Sequence, residues 1–438
     1  MKLTAQLEEL LYQAQHSPRS KELQLIGWRL VVNESRTVSL GVKDNLPGGV
    51  YTPPSYNQGE SGEVFLVWAD GKCSQARVQA LPGQRNLGEN ELRQWKLAAY
   101  EDPDSAEIPR PEALPLVAVE DRELQKISLG SDGRLFEQLA NWLEVKPKDV
   151  KIQGKIQGGW GYRHVRTSTG LAVSYQQSHY MMWVSLASLA GAGWGKRRII
   201  RPDEEHKLWQ RLNAYYNFLQ QPGPEVNSGT EVVFSPAVVE ELVGQLILPN
   251  LLGENVLNGQ SAWEEANFRT RREVFDSQLS LVVDPLRPLE WGSYLLTAEG
   301  VPAKRTVLVQ NGRLHTPILR LKDARRWGGE ATALPQGTSG LYLTAARVEE
   351  WLPALESIED GVLILSVLGL HTQNPATGDY SLSAPQALRI KQGKIVGRTD
   401  VKLNGNFFQD LATVSTRYAR TELDTYPGMI VQTGIQAL

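Results

Sequence analysis

The sequence predicts a mixed α+β protein built in two large halves. Three observations predict it. Helix-spaced and strand-spaced apolar patterns alternate along the 438 residues. Strand-like runs end at two-residue turn signals. The segment Gln221-Pro-Gly-Pro224 interrupts the chain near its midpoint. The expected division is a mixed α/β domain over residues 1–220 and a β-rich domain with mostly antiparallel sheets over 221–438. With 41% hydrophobic and 22% charged residues, both halves can bury a core.

The elements follow in order. Residues 3–14 place Leu3, Leu7, Leu10, Leu11 and Ala14 on one helical face. Residues 22–43 and 63–79 read as strands, the second region turning at Asp70-Gly71, where both positions tolerate positive φ. Residues 101–114, rich in proline and acid, read as an exposed connector. A helix is expected over 132–144, with Leu135, Phe136, Leu139, Trp142 and Leu143 inward. A strand pair is expected over 162–190 around Thr169-Gly170, then a helix over 203–219 carrying Leu208, Leu212, Tyr215, Tyr216 and Leu219. Asn311-Gly312 and Gln392-Gly393 mark turns between strands, and the apolar run Gly361–Leu368 reads as a strand buried on both faces.

Composition excludes several classes. The net charge of -3 gives no global attraction to nucleic acid or to an anionic membrane. No apolar run approaches the ~20 residues of a membrane span, and the N-terminus lacks the apolar core of a signal peptide. Cys73 is the only cysteine, so no intrachain disulfide forms and a reducing cytoplasm is the expected location. The six histidines, His16, His164, His179, His206, His315 and His371, fall at no metal-ligand spacing. Asp203-Glu-Glu-His206 reads as a solvated first helical turn; His164 and His179 could meet across a strand pair but read first as hydrogen-bonded surface or core residues. Ala190-Gly-Ala-Gly-Trp-Gly195-Lys196-Arg197 fails as a phosphate loop, because the first glycine and the final Ser/Thr are missing. It and the other glycine–tryptophan cluster, Gly158-Gly-Trp160-Gly161, read as flexible loops beside anchoring tryptophans, and so does Trp327-Gly328-Gly329.

The most informative helix runs from Ser235 to Ile247. Ser235 is a candidate N-cap and Pro236 suits the first helical position. Val238, Val239, Leu242, Val243, Leu246 and Ile247 form an apolar stripe, leaving Glu240, Glu241, Gly244 and Gln245 on the polar side. By pattern alone this is a helix packed on a core with a solvated face. The loop His371-Thr-Gln-Asn374-Pro-Ala-Thr377-Gly-Asp379-Tyr-Ser381 is made of turn formers and follows the buried strand.

From this helix onward the chain resembles the TldD/PmbA family, whose PmbA branch is also called TldE. The resemblance rests on an ordered series: the helix itself, Leu251–Ser261, Leu281-Val-Val-Asp284-Pro285, Glu299–Thr306, Asn311–Leu314, Ala324–Gly328, the His371–Ser381 loop, Lys391–Lys394 and Val401–Asn406. In the TldD branch the corresponding helix carries His-Glu-x-x-x-His, and a cysteine near the C-terminus completes a zinc site. Zinc needs such neutral imidazoles and a thiolate, and the glutamate takes a proton from the bound water. Here Glu240 and Gln245 stand at the histidine positions, Glu241 keeps the glutamate, and no cysteine follows Cys73.

The resemblance therefore implies a TldE-like subunit without catalytic residues or a metal of its own. Zinc is expected in a TldD-like partner only. It implies a heterodimer with that partner, or a homodimer, and a groove for unfolded or extended peptides bordered by His371, Asn374 and Asp379. Two alternatives stay open at this point: a peptidase with a rebuilt site at Glu240, Glu241 and His371, and a regulatory protein without proteolysis. Neither membrane binding nor direct nucleic-acid binding is expected.

Overall fold

The computed structural model describes residues 2–437 apart from 19, 50, 51, 81–86 and 228. Three sheets form its frame. The first lies in the N-terminal half. Its strands are Leu25–Lys43 (β1), Ser55–Trp68 (β2), Lys72–Gln79 (β3), Tyr100–Glu101 (β4), Ile152–Thr167 (β5), Ala172–Leu186 (β6) and Ala190–Lys196 (β7). They lie in the antiparallel order β4-β3-β2-β1-β5-β6-β7, with Leu46–Pro47 folded back on β1.

Period-two alternation gives this sheet its packed faces. Leu30, Val32, Val64 and Leu66 meet Leu3–His16 (α1) and Glu89–Leu97 (α2). Further along, Leu40, Val42, Ile152 and Ile156 meet Arg122–Ser128 (α3) and Arg134–Val145 (α4). In α4 Leu135, Leu139 and Trp142 point inward as expected. Phe136 does not, being 59% exposed, and Leu143 is only half-buried. At ~100° per residue those two lie on the shoulder of the stripe.

Another expectation fails in this half. Gly158–Gly161 and Ala190–Gly195 are strand, inside β5 and β7, and not flexible loops. Glycine is needed for close approach: a Cβ on Gly161 would stand 1.7 Å from the Glu34 carbonyl oxygen on neighbouring β1. The third cluster ends a helix, Gly328 being the left-handed C-cap of Leu321–Trp327. The β5–β6 register puts His164 opposite Ser174 and His179 opposite Gly159, so the two do not meet; they are hydrogen-bonded instead, His164 to Ser174 and Glu34 and His179 to Gln157.

The C-terminal half holds Glu231–Phe234 (β8), Leu279–Val283 (β9), Thr306–Gln310 (β10), Arg313–Leu314 (β11), Leu341–Ala345 (β12), Glu349–Glu350 (β13), Asp360–Ile364 (β14), Asp379–Lys391 (β15), Lys394–Asn406 (β16), Arg417–Arg420 (β17), Gly428–Val431 (β18) and Gly434–Ala437 (β19). A small sheet has the order β11-β10-β9-β12, and a large one β13-β17-β18-β8-β14-β15-β16-β19. Among the strand pairs of the described residues, only β13–β17 and β8–β14 are parallel. The two α+β halves with mostly antiparallel sheets therefore match the predicted fold class.

The large sheet is covered on both faces, which explains its continuous apolar runs. Val232, Phe234, Val362, Ile364, Met429 and Val431 join one core with the small sheet and the helix that follows β8. Val233, Leu363, Leu388 and Ile430 join the other with Pro202–Leu219 (α5). The buried run ends earlier than its sequence suggests, since β14 stops at Ile364 and Leu368 is exposed.

Helix α5 sits between the halves. One continuous core contains its Leu208, Trp209 and Leu212, then Trp142, Met182 and Trp194 from the first half and Val233 and Leu363 from the second. Its first turn is less solvated than expected, because Glu204 is buried and bonded to Arg198 and Arg201. The break at 221–224 is tied down too. Gly223 N–H donates to Arg398 O and Arg398 N–H to Gln221 O, both at 2.7 Å.

Candidate functional site

A cleft of about 510 Å³ opens where the halves meet. On one side it is lined by Met181 and Trp183 of β6 and by Gly193–Lys196 of β7. Opposite stand Pro236, Ala237 and Glu240, the loops 290–292 and 338–340, Tyr342, and residues 423–426. A smaller hollow of about 180 Å³ continues past Asp424 along Leu189–Ala192 of the same edge. β7 ends its sheet, and from Ala190 to Gly195 its outer side pairs with no strand among the described residues.

The helix facing this edge is Pro236–Leu242 (α6). Strand β8 runs straight into it, and the Ser235 N–H is held by the Ile364 carbonyl at 3.1 Å. Pro236 takes the first turn as expected. Ser235 occupies the cap position, but its hydroxyl makes no cap bond and has no partner among the described residues. The stripe of Val238, Val239, Leu242, Val243, Leu246 and Ile247 is fully buried. Over Val243–Ile247 the helix widens to a π turn, with Leu248 N–H bonded to Val243 O. Positions 240 and 245 would diverge by roughly 140° on a regular α-helix, and the wider turn reduces that angle.

Only Glu240 of the three helix positions lines the cleft. It is half-buried, and it accepts a hydrogen bond from Thr338 Oγ1 at 2.7 Å. Burial lifts its carboxyl above the ordinary range; the Thr338 bond opposes this and the nearby Asp424 charge adds to it. Glu241 and Gln245 are exposed. The loop with His371, Asn374 and Asp379 contributes nothing to the cleft lining. It is anchored instead beyond the π turn, where Asn250 Nδ2 donates to Pro375 O at 2.7 Å. His371 and Asp379 are exposed there, and Asp379 accepts from Asn406 at 2.8 Å.

The residues fit no zinc site. Glu240 is engaged by Thr338, Gln245 offers a neutral amide, and Cys73 is buried in the first sheet on β3. Among the described residues no three His, Cys, Asp or Glu side chains group to hold a metal ion.

Sequence reasoning missed most of the cleft. Met181 and Trp183, Trp291, Thr338 and Asp424 come from four separate segments. The one local signal was the alternating glycine of Gly191-Ala-Gly193-Trp194-Gly195, which in a strand marks close backbone approach.

The fold defines a known structural class. The chain superposes on the crystal structure of TldE from Thermococcus kodakarensis with a TM-score of 0.80 at 18% identity, covering 99% of this chain and 100% of that one. A protein described as a modulator of DNA gyrase from Thermotoga maritima gives 0.78 at 18%, with coverage of 99% and 100%. Residues 227–434 match the family model for the PmbA/TldA metallopeptidase C-terminal domain. The C-terminal half of the chain thus belongs to the PmbA/TldD family. Among its relatives, a metalloprotease of Archaeoglobus fulgidus is 27% identical over 53% of this chain and 54% of its own length. A protein of Methanocaldococcus jannaschii is 23% identical over 59% and 62%. The chain thus spans about half to three-fifths of the length of these relatives. No helix among the described residues is long and apolar enough to cross a membrane.

Proposed function

We propose that this chain is a TldE-like, non-catalytic subunit of a TldD/TldE-type peptidase system, and that its interhalf cleft holds an extended peptide. The carrying observation is that Glu240 and Gln245 stand at the histidine positions of the hydrolytic branch and no cysteine follows Cys73, although Glu241 keeps the glutamate. The unpaired β7 edge beside the cleft supports the peptide reading. An extended segment gains main-chain hydrogen bonds by adding to such an edge, and side-chain pockets then select it. In this reading zinc and the hydrolytic step belong to a TldD-like partner, the assembly is a heterodimer with a homodimer as the partner-free form, and the compartment is the cytoplasm.

Co-expression with the TldD-like protein of the same organism tests this. With a tag on this chain, the purified pool is assayed for zinc and for peptide hydrolysis against this chain alone. About one zinc per pair, as a single tetrahedral site requires, with hydrolysis only by the pair, is the expected result. Zinc binding and hydrolysis by the isolated chain would overturn the reading.

A further inference from the structure

We propose that the cleft selects a cationic group on its peptide, with Glu240 as the receptor for that cation and Trp183 as its aromatic wall. This rests on the peptide reading above and adds the charge class of the occupant.

Three carboxylates line the cleft, and two are already matched within the protein. Glu290 accepts from Lys196 Nζ at 2.7 Å, and Asp424 is paired with Arg211. Glu240 makes no ion pair among the described residues, and its hydrogen-bond partner is the neutral Thr338 hydroxyl. A half-buried carboxylate without a counter-ion is an unfavourable arrangement that a cationic ligand relieves.

The aromatic lining divides in the same way. The Trp194 ring already carries Arg198 at 5.1 Å, and the Tyr342 ring carries Arg287 at 3.5 Å. Trp183 is 42% exposed beside Met181 at 36%, and it holds no cation among the described residues. An open indole lining the same cleft as an uncompensated carboxylate, on its opposite wall, suits an ammonium or guanidinium, which gains from both the ring face and the charge. A peptide carboxylate at the same place would meet Glu240 and Asp424 with like charge. The cation has two possible sources, a lysine or arginine side chain or the N-terminal ammonium of the peptide.

The test uses the full chain and N-acetylated, C-amidated hexapeptides that carry Lys, norleucine or Glu at a central position. A fourth peptide keeps norleucine and has a free N-terminus. Calorimetry reads the dissociation constants. The Lys peptide is expected to bind about tenfold tighter than norleucine, with Glu weaker than both. If the free N-terminus confers that gain instead, the terminal ammonium is the source. Glu240→Gln, which keeps the shape and can still accept from Thr338, is expected to bring the cationic and neutral peptides within about twofold of each other. Equal binding of all four peptides by the unmodified chain overturns the cation preference and leaves the peptide groove standing. A preference that survives in a folded Glu240→Gln variant removes Glu240 from the role. Absence of binding by any peptide removes the groove reading itself, and this inference with it.

Discussion

The Glu240 carboxylate accepts a 2.7 Å hydrogen bond from the Thr338 hydroxyl, joining α6 to a loop 98 residues further along the chain. Tyr426 closes the triangle by donating to the Thr338 carbonyl at 3.2 Å. Three distant segments thus converge on one half-buried acid, so the shape of the cleft depends on contacts with no local sequence signature.

Thr338→Val tests that convergence. The variant keeps the volume and leaves Glu240 without its donor. An unsatisfied buried group costs about 1–3 kcal/mol, and a value near the lower end is expected because Glu240 is only half-buried. The bond favours the ionised carboxylate, so its loss raises the folded-state pKa further. A carboxyl raised by folding stabilises most below its unfolded pKa, and that contribution is lost as pH rises through the folded pKa. Urea unfolding should therefore show a larger deficit at pH 8 than at pH 4. A deficit independent of pH would separate the Thr338 bond from the ionisation of Glu240.

Asp410 supplies a second pH dependence. It is buried and accepts from the Tyr380 hydroxyl at 2.8 Å. Burial pushes its carboxyl from 3.8 up to about 6. The roughly two-unit rise corresponds to on the order of 3 kcal/mol. That stability is fully present below pH 3.8 and is lost as pH rises through about 6. Asp410→Asn keeps an acceptor for Tyr380 and removes the titration. Its melting temperature should gain on that of the unmodified chain between pH 4.5 and pH 8. Parallel melting curves across that range would remove Asp410 as the cause.

The shared core around α5 makes a prediction about cooperativity. Leu208 is fully buried between residues of both halves. Leu208→Ala should cost about 2–5 kcal/mol. Because one cluster spans the halves, both should unfold in one step. Tryptophan fluorescence and far-UV circular dichroism in urea should trace one coincident transition in the parent and in the variant. Two resolved transitions would show that the halves are stable separately.

Much of the frame was legible because it depends on local periodicity. The α1 stripe from Leu3 to Ala14, the turn at Asp70-Gly71 and the α5 stripe each follow from spacing alone, and the structure has them. The cleft was less legible because its members meet only through strand register and helix packing. Gly191-Ala-Gly193 reads as loop by composition, yet pairing with β6 makes it strand. Ser235 reads as a cap, but its cap position is held by the backbone bond to Ile364 instead. Glu240 was singled out from the family pattern, while its partners Thr338 and Asp424 carried no signal.

The glycines of β7 give the most direct test of where a peptide would lie. Gly195, Gly193 and Gly191 stand opposite Met181, Trp183 and Ser185, so all six share one face of the sheet. A Cβ on Gly193 would meet nothing nearer than Met182 O at 3.7 Å, an ordinary contact. Valine at this position therefore has room in the fold, and β-branching favours a strand, so the stability of Gly193→Val should stay within ~1 kcal/mol of the parent. The added side chain would stand beside Trp183 and block the floor of the cleft. Peptide affinity measured by calorimetry should fall by about tenfold or more, equivalent to ~1.4 kcal/mol. A folded Gly193→Val chain that binds peptide as tightly as the parent would place the binding surface away from the β7 face.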